Sequence, residues 1–470
     1  MDIPDSQEPL VHACEDCACA VSGSRARRTA PVEIGDQPFV LASGLVDLPV
    51  DDEYSLLFNP HGNGQVVVLD GVGRAVAAGF ATPTRVSAAT AEDVQRLVAA
   101  GIVHPVDRPP TQDFQRDPTL TAWLHVTNKC NLRCPYCYVH KSDDSMSQDV
   151  AERSVDALVA SAVRNGFESL RLKYAGGEAS LNADVLVDLH DYALRRCAAE
   201  GLGLSAVLLS NGVALHDRLV DALRAREIGV MVSLDGLGAG HDAQRPTLGG
   251  RPSSAMVIRT IDRLVAAGVA PHLSITITGR NTTDVADVVR FAVDRGLTFS
   301  LNFFRDNDCA ATFDDLQYEQ RAMIDGLADA FRVIEQTLPP WSVLGSVLDR
   351  GQLLMPRQRP CGVADDYVVI DQNGRIAQCH MDIETVVGDI RTTDPVSAVR
   401  GGGIKNLLVD DKDGCRECSW SQWCAGGCPL ATHRATGRFD VRSPNCAIYK
   451  AIYPQALRLE GLRILKYAVT

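Results

Sequence analysis

The sequence predicts an α/β protein built on a parallel sheet wrapped by helices, and two observations point to it. From about residue 119 to 304, six apolar strand-like runs alternate with segments of helical spacing. The runs are TAWLHVT, SLRLKYA, SAVLLSN, GVMVSLD, HLSITIT and FSLNFF, and VAERSVDALVASAV and VIRTIDRLVAAG are typical of the segments between them. Cysteines gather just after the first run and again toward the C-terminus. In such folds the functional groups lie at the C-terminal strand ends.

Taken in chain order, residues 1–30 hold Ser, Arg, Ala and three cysteines without apolar periodicity, and are expected to be disordered. Residues 31–112 read as a small domain. YSLLFNP is expected as a strand, QVVVLDGVGRAVAAGF as a helix, and AEDVQRLVAAGIVHPV as a helix, a glycine stop and a final strand. The apolar set LLF, VVVL, AVAAG and LVAAG predicts that this domain folds alone. The Pro-rich stretch HPVDRPPTQDFQRDP marks a joint. Residues 113–320 then hold the alternating unit, and 321–358 a helical linker. Residues 359–446 are rich in cysteine and glycine and irregular, as in a fold held by metal. Residues 447–470 are a closing helix with Pro454 as a kink position.

A net charge of −13 and a pI of about 5.3 argue against nucleic acid or an anionic membrane as partner. The acidic start MDIPDSQEPL lacks a basic n-region and an apolar h-region, and no apolar run approaches the roughly 18–20 residues of a membrane span. A cytoplasmic protein is expected. Fifteen cysteines in a reducing compartment point to metal or redox chemistry rather than disulfides. Only Cys197 and Cys309 stand alone; the others fall at Cys14, Cys17 and Cys19, at Cys130, Cys134 and Cys137, and between Cys361 and Cys446.

The segment HVTNKCNLRCPYCYVHK sets Cys130, Cys134 and Cys137 in a C-x3-C-x2-C array behind the first strand. Three thiolates can hold three irons of a 4Fe–4S cubane and leave the fourth open to the amine and carboxylate of a methionine group. The alternative is a structural zinc loop completed by His125 or His140.

With this array the chain resembles the radical S-adenosylmethionine superfamily from about residue 119 onward, which implies a partial (β/α)6 TIM barrel. Tyr136 occupies the aromatic position that lies near the adenine in that family. YAGGEASLN is similar to its Gly-Gly-Glu motif, so Gly176 and Gly177 would allow close backbone approach and Glu178 would bind the cofactor's ammonium. Ala179 stands where the family usually has Pro. In LLSNG, Ser210 and Asn211 look like ribose or carboxylate ligands, and VSLDG ends in Ser233 and Asp235. Arg245 resembles the family's Arg against the methionine carboxylate.

The last seven cysteines, Cys361, Cys379, Cys415, Cys418, Cys424, Cys428 and Cys446, are spaced as in the seven-cysteine SPASM domain, with zinc ribbons as the alternative. That resemblance implies an outer cluster on Cys415, Cys418, Cys424 and Cys446 and an inner one on Cys361, Cys379 and Cys428. The expected cofactors are therefore S-adenosylmethionine and three 4Fe–4S clusters. The inner cluster would have an open iron, or borrow Cys309 or an N-terminal cysteine. His380, after Cys379, stands where sulfatase activators carry an Asp and is the candidate proton acceptor.

Residues 31–106 resemble the winged-helix-like peptide recognition element of peptide maturases, which takes a leader peptide as an added strand. Residues 1–110 hold seven Arg, no Lys and fifteen Asp or Glu, the wrong balance for phosphate. The resemblance implies a maturase acting on a ribosomally made precursor peptide with leader, forming a carbon–carbon or thioether cross-link or a related change. A flavodoxin or ferredoxin would donate electrons. The alternatives are sulfatase activation, which forms formylglycine, and a non-catalytic peptide-binding iron–sulfur protein.

Overall fold

The computed structural model describes residues 24–26, 34–109, 112, 114–213, 215–345 and 348–468. Seven short strands precede the main sheet: β1 (Ser24–Ala26), β2 (Phe39–Leu41), β3 (Val46–Pro49), β4 (Ser55–Phe58), β5 (Val66–Leu69), β6 (Val103–Pro105) and β7 (Phe114–Arg116). β1 pairs with β7, so residues 1–30 are not wholly without secondary structure. β2 pairs with β6, and β3, β4 and β5 form an antiparallel sheet in that order.

The run QVVVLDGVGRAVAAGF is not one helix. Its β-branched part is β5, and the helix Gly71–Ala78 starts only after Asp70, whose side chain accepts the Gly73 N–H at 2.8 Å. The helix Ala91–Ala99, Gly101 at φ +68 and β6 follow the expected order.

Alternation along β4 splits the small sheet between two cores. Leu57 faces Phe39, Phe80 and Leu97, whereas Leu56 and Phe58 join the largest core together with Trp423, Tyr449 and Tyr453. The Phe58 and Trp423 rings lie 4.9 Å apart, and the Trp423 indole donates to Pro60 O at 3.0 Å. At Gly64 (φ +88) an added Cβ would lie 2.4 Å from Leu354 O. Part of this sheet's apolar surface is therefore completed by the C-terminal part of the chain, which counts against a domain that folds alone.

Six strands in chain order then run parallel: β8 (Thr119–Thr127), β9 (Ser169–Gly176), β10 (Gly203–Ser210), β11 (Gly229–Ser233), β12 (His272–Ile277) and β13 (Phe299–Phe303). Leu120, Leu124 and Val126 of β8 belong to the largest core, while Trp123 and His125 point to the other face. Helices such as Gln148–Arg164, capped by Ser147 on the Val150 N–H, cross between successive strands. Among the described residues β13 pairs with β12 alone, which leaves the six-stranded unit open there.

The segment from 359 is less irregular than expected. It adds β14 (Tyr367–Ile370), β15 (Arg375–Ala377) and β16 (Val386–Asp389) to the same sheet, with β14 parallel to β8 and Val369 opposite Trp123. Among the described residues the expected helical linker holds one α-helix, at its start, and a single 3-10 turn at Val343–Gly345. The helix Gln320–Thr337 ends at Leu338 (φ +45), just before Pro339 and Pro340, which cannot continue it. The closing helix, Cys446–Ala468, begins on the last cysteine and contains Pro454.

Candidate active site

Cys130, Cys134 and Cys137 lie on the loop after β8, and the end of β9 is pressed against that loop. Gly177 N donates to Thr127 O at 2.7 Å and Glu178 N to Lys129 O at 2.8 Å. An added Cβ would lie 2.4 Å from Thr127 O at Gly176 and 2.3 Å from Lys129 O at Gly177. The two glycines thus serve the approach of strand to cysteine loop, a demand that comes before any approach to a ligand. Burial raises the Cys130 thiol and pushes Cys134 up to about 12, with Arg245 opposing the shift at Cys134. A cationic metal centre bound there would oppose the effect of burial and remove these protons outright.

Glu178 is buried and organised from several sides. Its Oε1 accepts from Ser180 Oγ at 2.6 Å, Ser210 Oγ at 2.8 Å and Ser180 N at 3.2 Å, and its Oε2 accepts from Asn211 N at 2.7 Å. A carboxylate offers about four acceptor positions, so room for one more donor is on the Oε2 side. Asn211 also reaches Asn131 Oδ1 at 2.7 Å, which ties β10 to the cysteine loop.

Asp235 is fully buried and engaged. It takes the Tyr136 hydroxyl and the Arg245 Nε (2.7 Å) on Oδ2, and the Thr276 N–H (2.8 Å) on Oδ1. Of the nine expected cofactor residues, it alone does not line the cavity beside the cysteines. Tyr136, Gly176, Gly177, Glu178, Ser210, Asn211, Ser233 and Arg245 all do, and so do the three cysteines. In this arrangement Asp235 orients Arg245 and Tyr136 rather than facing a ligand.

The cavity and the solvent-open space at its mouth together measure about 1160 Å³. His380 lines it, its ring 4.4 Å from that of Trp123 and nearly parallel, with Nδ1 2.9 Å from the Tyr367 hydroxyl. Burial, then Arg350 and Arg305, hold this imidazole well below its usual pKa. That environment counts against easy proton uptake there. Sequence reasoning missed Trp123, Arg305 and Lys141, which also line the cavity. Lys141, four residues after Cys137, was within reach of a spacing argument.

The seven C-terminal cysteines divide in space. Cys379 neighbours Cys428 and Cys361 electrostatically, and Cys424 neighbours Cys415, Cys446 and Cys418. Burial pushes both Cys379 and Cys424 up to about 12. Among the described residues no three His, Cys, Asp or Glu side chains form a group suited to a single metal ion. Cys309 lies near the first group instead, 3.5 Å from His140 and influenced by Cys137. Cys14, Cys17 and Cys19 lie outside the described residues. Among the described residues no helix is long and apolar enough to cross a membrane.

Residues 124–292 match the family model described as Radical SAM superfamily. The chain spans 58% and 40% of the lengths of the first two curated relatives it matches. The second of these is the sporulation killing factor maturation protein SkfB of Bacillus subtilis, 26% identical over 178 residues, or 38% of this chain. The mycofactocin maturase MftC of Mycobacterium ulcerans is 26% identical over 343 residues, covering 70% of this chain and 88% of that protein. Among solved structures, anSMEcpe with bound AdoMet and Cp18Cys peptide superposes with a TM-score of 0.60 at 17% identity, over 74% of this chain and 100% of that one. At that identity the likeness is one of fold.

Proposed function

We propose that this chain, which contains a radical SAM domain, is a radical S-adenosylmethionine peptide maturase. It would modify a ribosomally made precursor peptide by oxidative cross-linking or a related change. The observation that carries the reading is the cavity, where the C-x3-C-x2-C loop, the Gly-Gly-Glu strand end and Arg245 meet. Relatedness to SkfB and MftC, both named as maturation proteins, supports a peptide as substrate.

Cys130, Cys134 and Cys137 would hold a 4Fe–4S cluster, with Cys361, Cys379 and Cys428, and Cys415, Cys418, Cys424 and Cys446, as two auxiliary sets. When bound, the first cluster and S-adenosylmethionine supply hydrogen abstraction, and the auxiliary clusters supply an electron acceptor. The chain's own residues do the positioning. Glu178 would take the cofactor's ammonium on Oε2. Arg245, fixed by Asp235 and Tyr136, presents a guanidinium for a carboxylate. Trp123, Met381 and Phe304 line an apolar part of the cavity that keeps water from a reacting centre. The sheet β3-β4-β5, whose β3 and β5 each pair with β4 alone among the described residues, would take the leader as an added strand in the manner of a winged-helix-like recognition element.

Anaerobically reconstituted protein should hold about twelve irons, as the three ligand sets imply. Replacing Cys130, Cys134 and Cys137 together by Ala should remove a third of the iron and all 5′-deoxyadenosine formation. Continued formation of 5′-deoxyadenosine by the triple variant would refute the assignment.

A further inference from the structure

The two auxiliary cysteine sets share a buried cation. Lys412 is only 3% exposed, and its Nζ donates to Ala425 O at 3.0 Å. Ala425 lies inside Cys424-Ala425-Gly426-Gly427-Cys428, the short loop that joins the outer set to the inner one. Room for the ammonium exists because Gly426 (φ +76) has no side chain; a Cβ there would lie 2.5 Å from Lys412 Cδ and 2.7 Å from Nζ. The sulfurs that act on it electrostatically are those of Cys415 and Cys424 of the outer set and of Cys361 and Cys428 of the inner set. Among the described residues Lys412 forms no ion pair with a carboxylate. Burial works against the charge of Lys412 and the neighbouring sulfurs work for it, so negative charge on those sulfurs would stabilise the ammonium.

We propose that Lys412 is the common counter-cation of the two auxiliary centres and sets both of their reduction potentials. The inference rests on the iron–sulfur reading given above. A thiolate-bound cluster carries net negative charge, and each electron added makes it more negative. A fixed ammonium between two such bodies favours the reduced form of each, since local net charge is one of the determinants of cluster potential. By the same argument, reduction of one centre draws on the ammonium that stabilises reduction of the other.

The test uses full-length reconstituted protein carrying Cys130, Cys134 and Cys137 as Ala, so that only the auxiliary centres contribute. Midpoint potentials are read by electron paramagnetic resonance during a dithionite titration with mediator dyes. Lys412→Met keeps the length of the chain and removes the charge. Both potentials should then fall so that the reduced-to-oxidised ratio at a fixed potential drops at least tenfold, about 59 mV for one electron. Lys412→Arg should stay within a small fraction of that shift. Unchanged potentials at full iron content, or a shift in one centre alone, would overturn the proposal. Loss of iron from Lys412→Met but not from Lys412→Arg would support it, because Arg keeps both a cation and a donor for Ala425 O and Met keeps neither; loss from both would make Lys412 a packing residue and overturn it. A parent protein unable to bind iron would instead refute the iron–sulfur reading.

Discussion

Lys141 holds its ammonium 2.9 Å from the sulfur of Cys137. Burial works against its charge, but the sulfurs of Cys137, Cys130 and Cys134 outweigh burial and leave its pKa raised. Among the described residues it has no carboxylate partner, unlike Arg245, which is paired with Asp235. Lys141→Met should therefore lower the reduction potential of the first cluster at unchanged iron content. A tenfold fall in the reduced fraction corresponds to about 59 mV, and a redox titration followed by electron paramagnetic resonance measures it. An unaltered potential would show that Lys141 serves only to order the loop.

Glu178→Gln should weaken S-adenosylmethionine binding by about 1.5–3 kcal/mol, the worth of a hydrogen bond to a charged group. Iron content should hold, because the carboxylate is bonded to serines and backbone rather than to a cysteine. Equilibrium dialysis of the reconstituted protein gives the comparison, and equal affinity would remove Glu178 from the cofactor site.

Phe58→Ala should destabilise the whole chain by about 3–5 kcal/mol, as expected for an aromatic ring lost from a core. Trp423→Phe should cost about 1 kcal/mol through the lost bond to Pro60. Deleting residues 1–112 should expose Trp423 and the face of the final helix that packs there, giving an aggregating product by size exclusion. A well-behaved truncated protein would contradict the shared core.

His272 supplies a pH prediction. Burial, then Lys173, lowers its pKa from 6.5 to about 3. Between those values the unfolded chain binds a proton that the folded chain refuses, so stability falls as pH drops below about 6.5. The urea midpoint of the parent should therefore fall more between pH 7.5 and 5.5 than that of His272→Asn. The extra loss should be ~1 kcal/mol, from one proton at 1.36 kcal/mol per unit. Parallel declines would mean that His272 does not set the slope.

The six parallel strands were legible because each is a buried apolar run bounded by helical spacing. The cysteine loop was legible from its spacing, and its strand-end partners from the resemblance to the radical S-adenosylmethionine superfamily. What escaped has physical causes. Tyr367–Ile370 is four residues long and lies among cysteines, so its pairing with β8 depends on a partner far away in sequence. Val66–Leu69 merged with the helix behind it because Val fits either pattern; the capping pair Asp70 and Gly73 was the available signal. Asp235 belongs to the expected set, yet its oxygens are consumed by Tyr136, Arg245 and Thr276, a fact that only distances disclose. Lys412 gave no sign at all, since a single lysine in DDKDGC reads as a solvated charge.

The pairing of β14 with β8 also fixes a timetable. Roughly 250 residues separate Val369 from Trp123, and at about 5–20 residues per second the ribosome needs on the order of 10–50 s to make them. Throughout that interval β8, the longest strand of the sheet, keeps one edge bare, and bare edges recruit other chains. The nascent protein is therefore most exposed to aggregation while its first cysteine loop already exists and most of its last seven cysteines are unmade. Slow synthesis should harm its yield, and chaperones that shield strand edges should help most before residue 370 emerges.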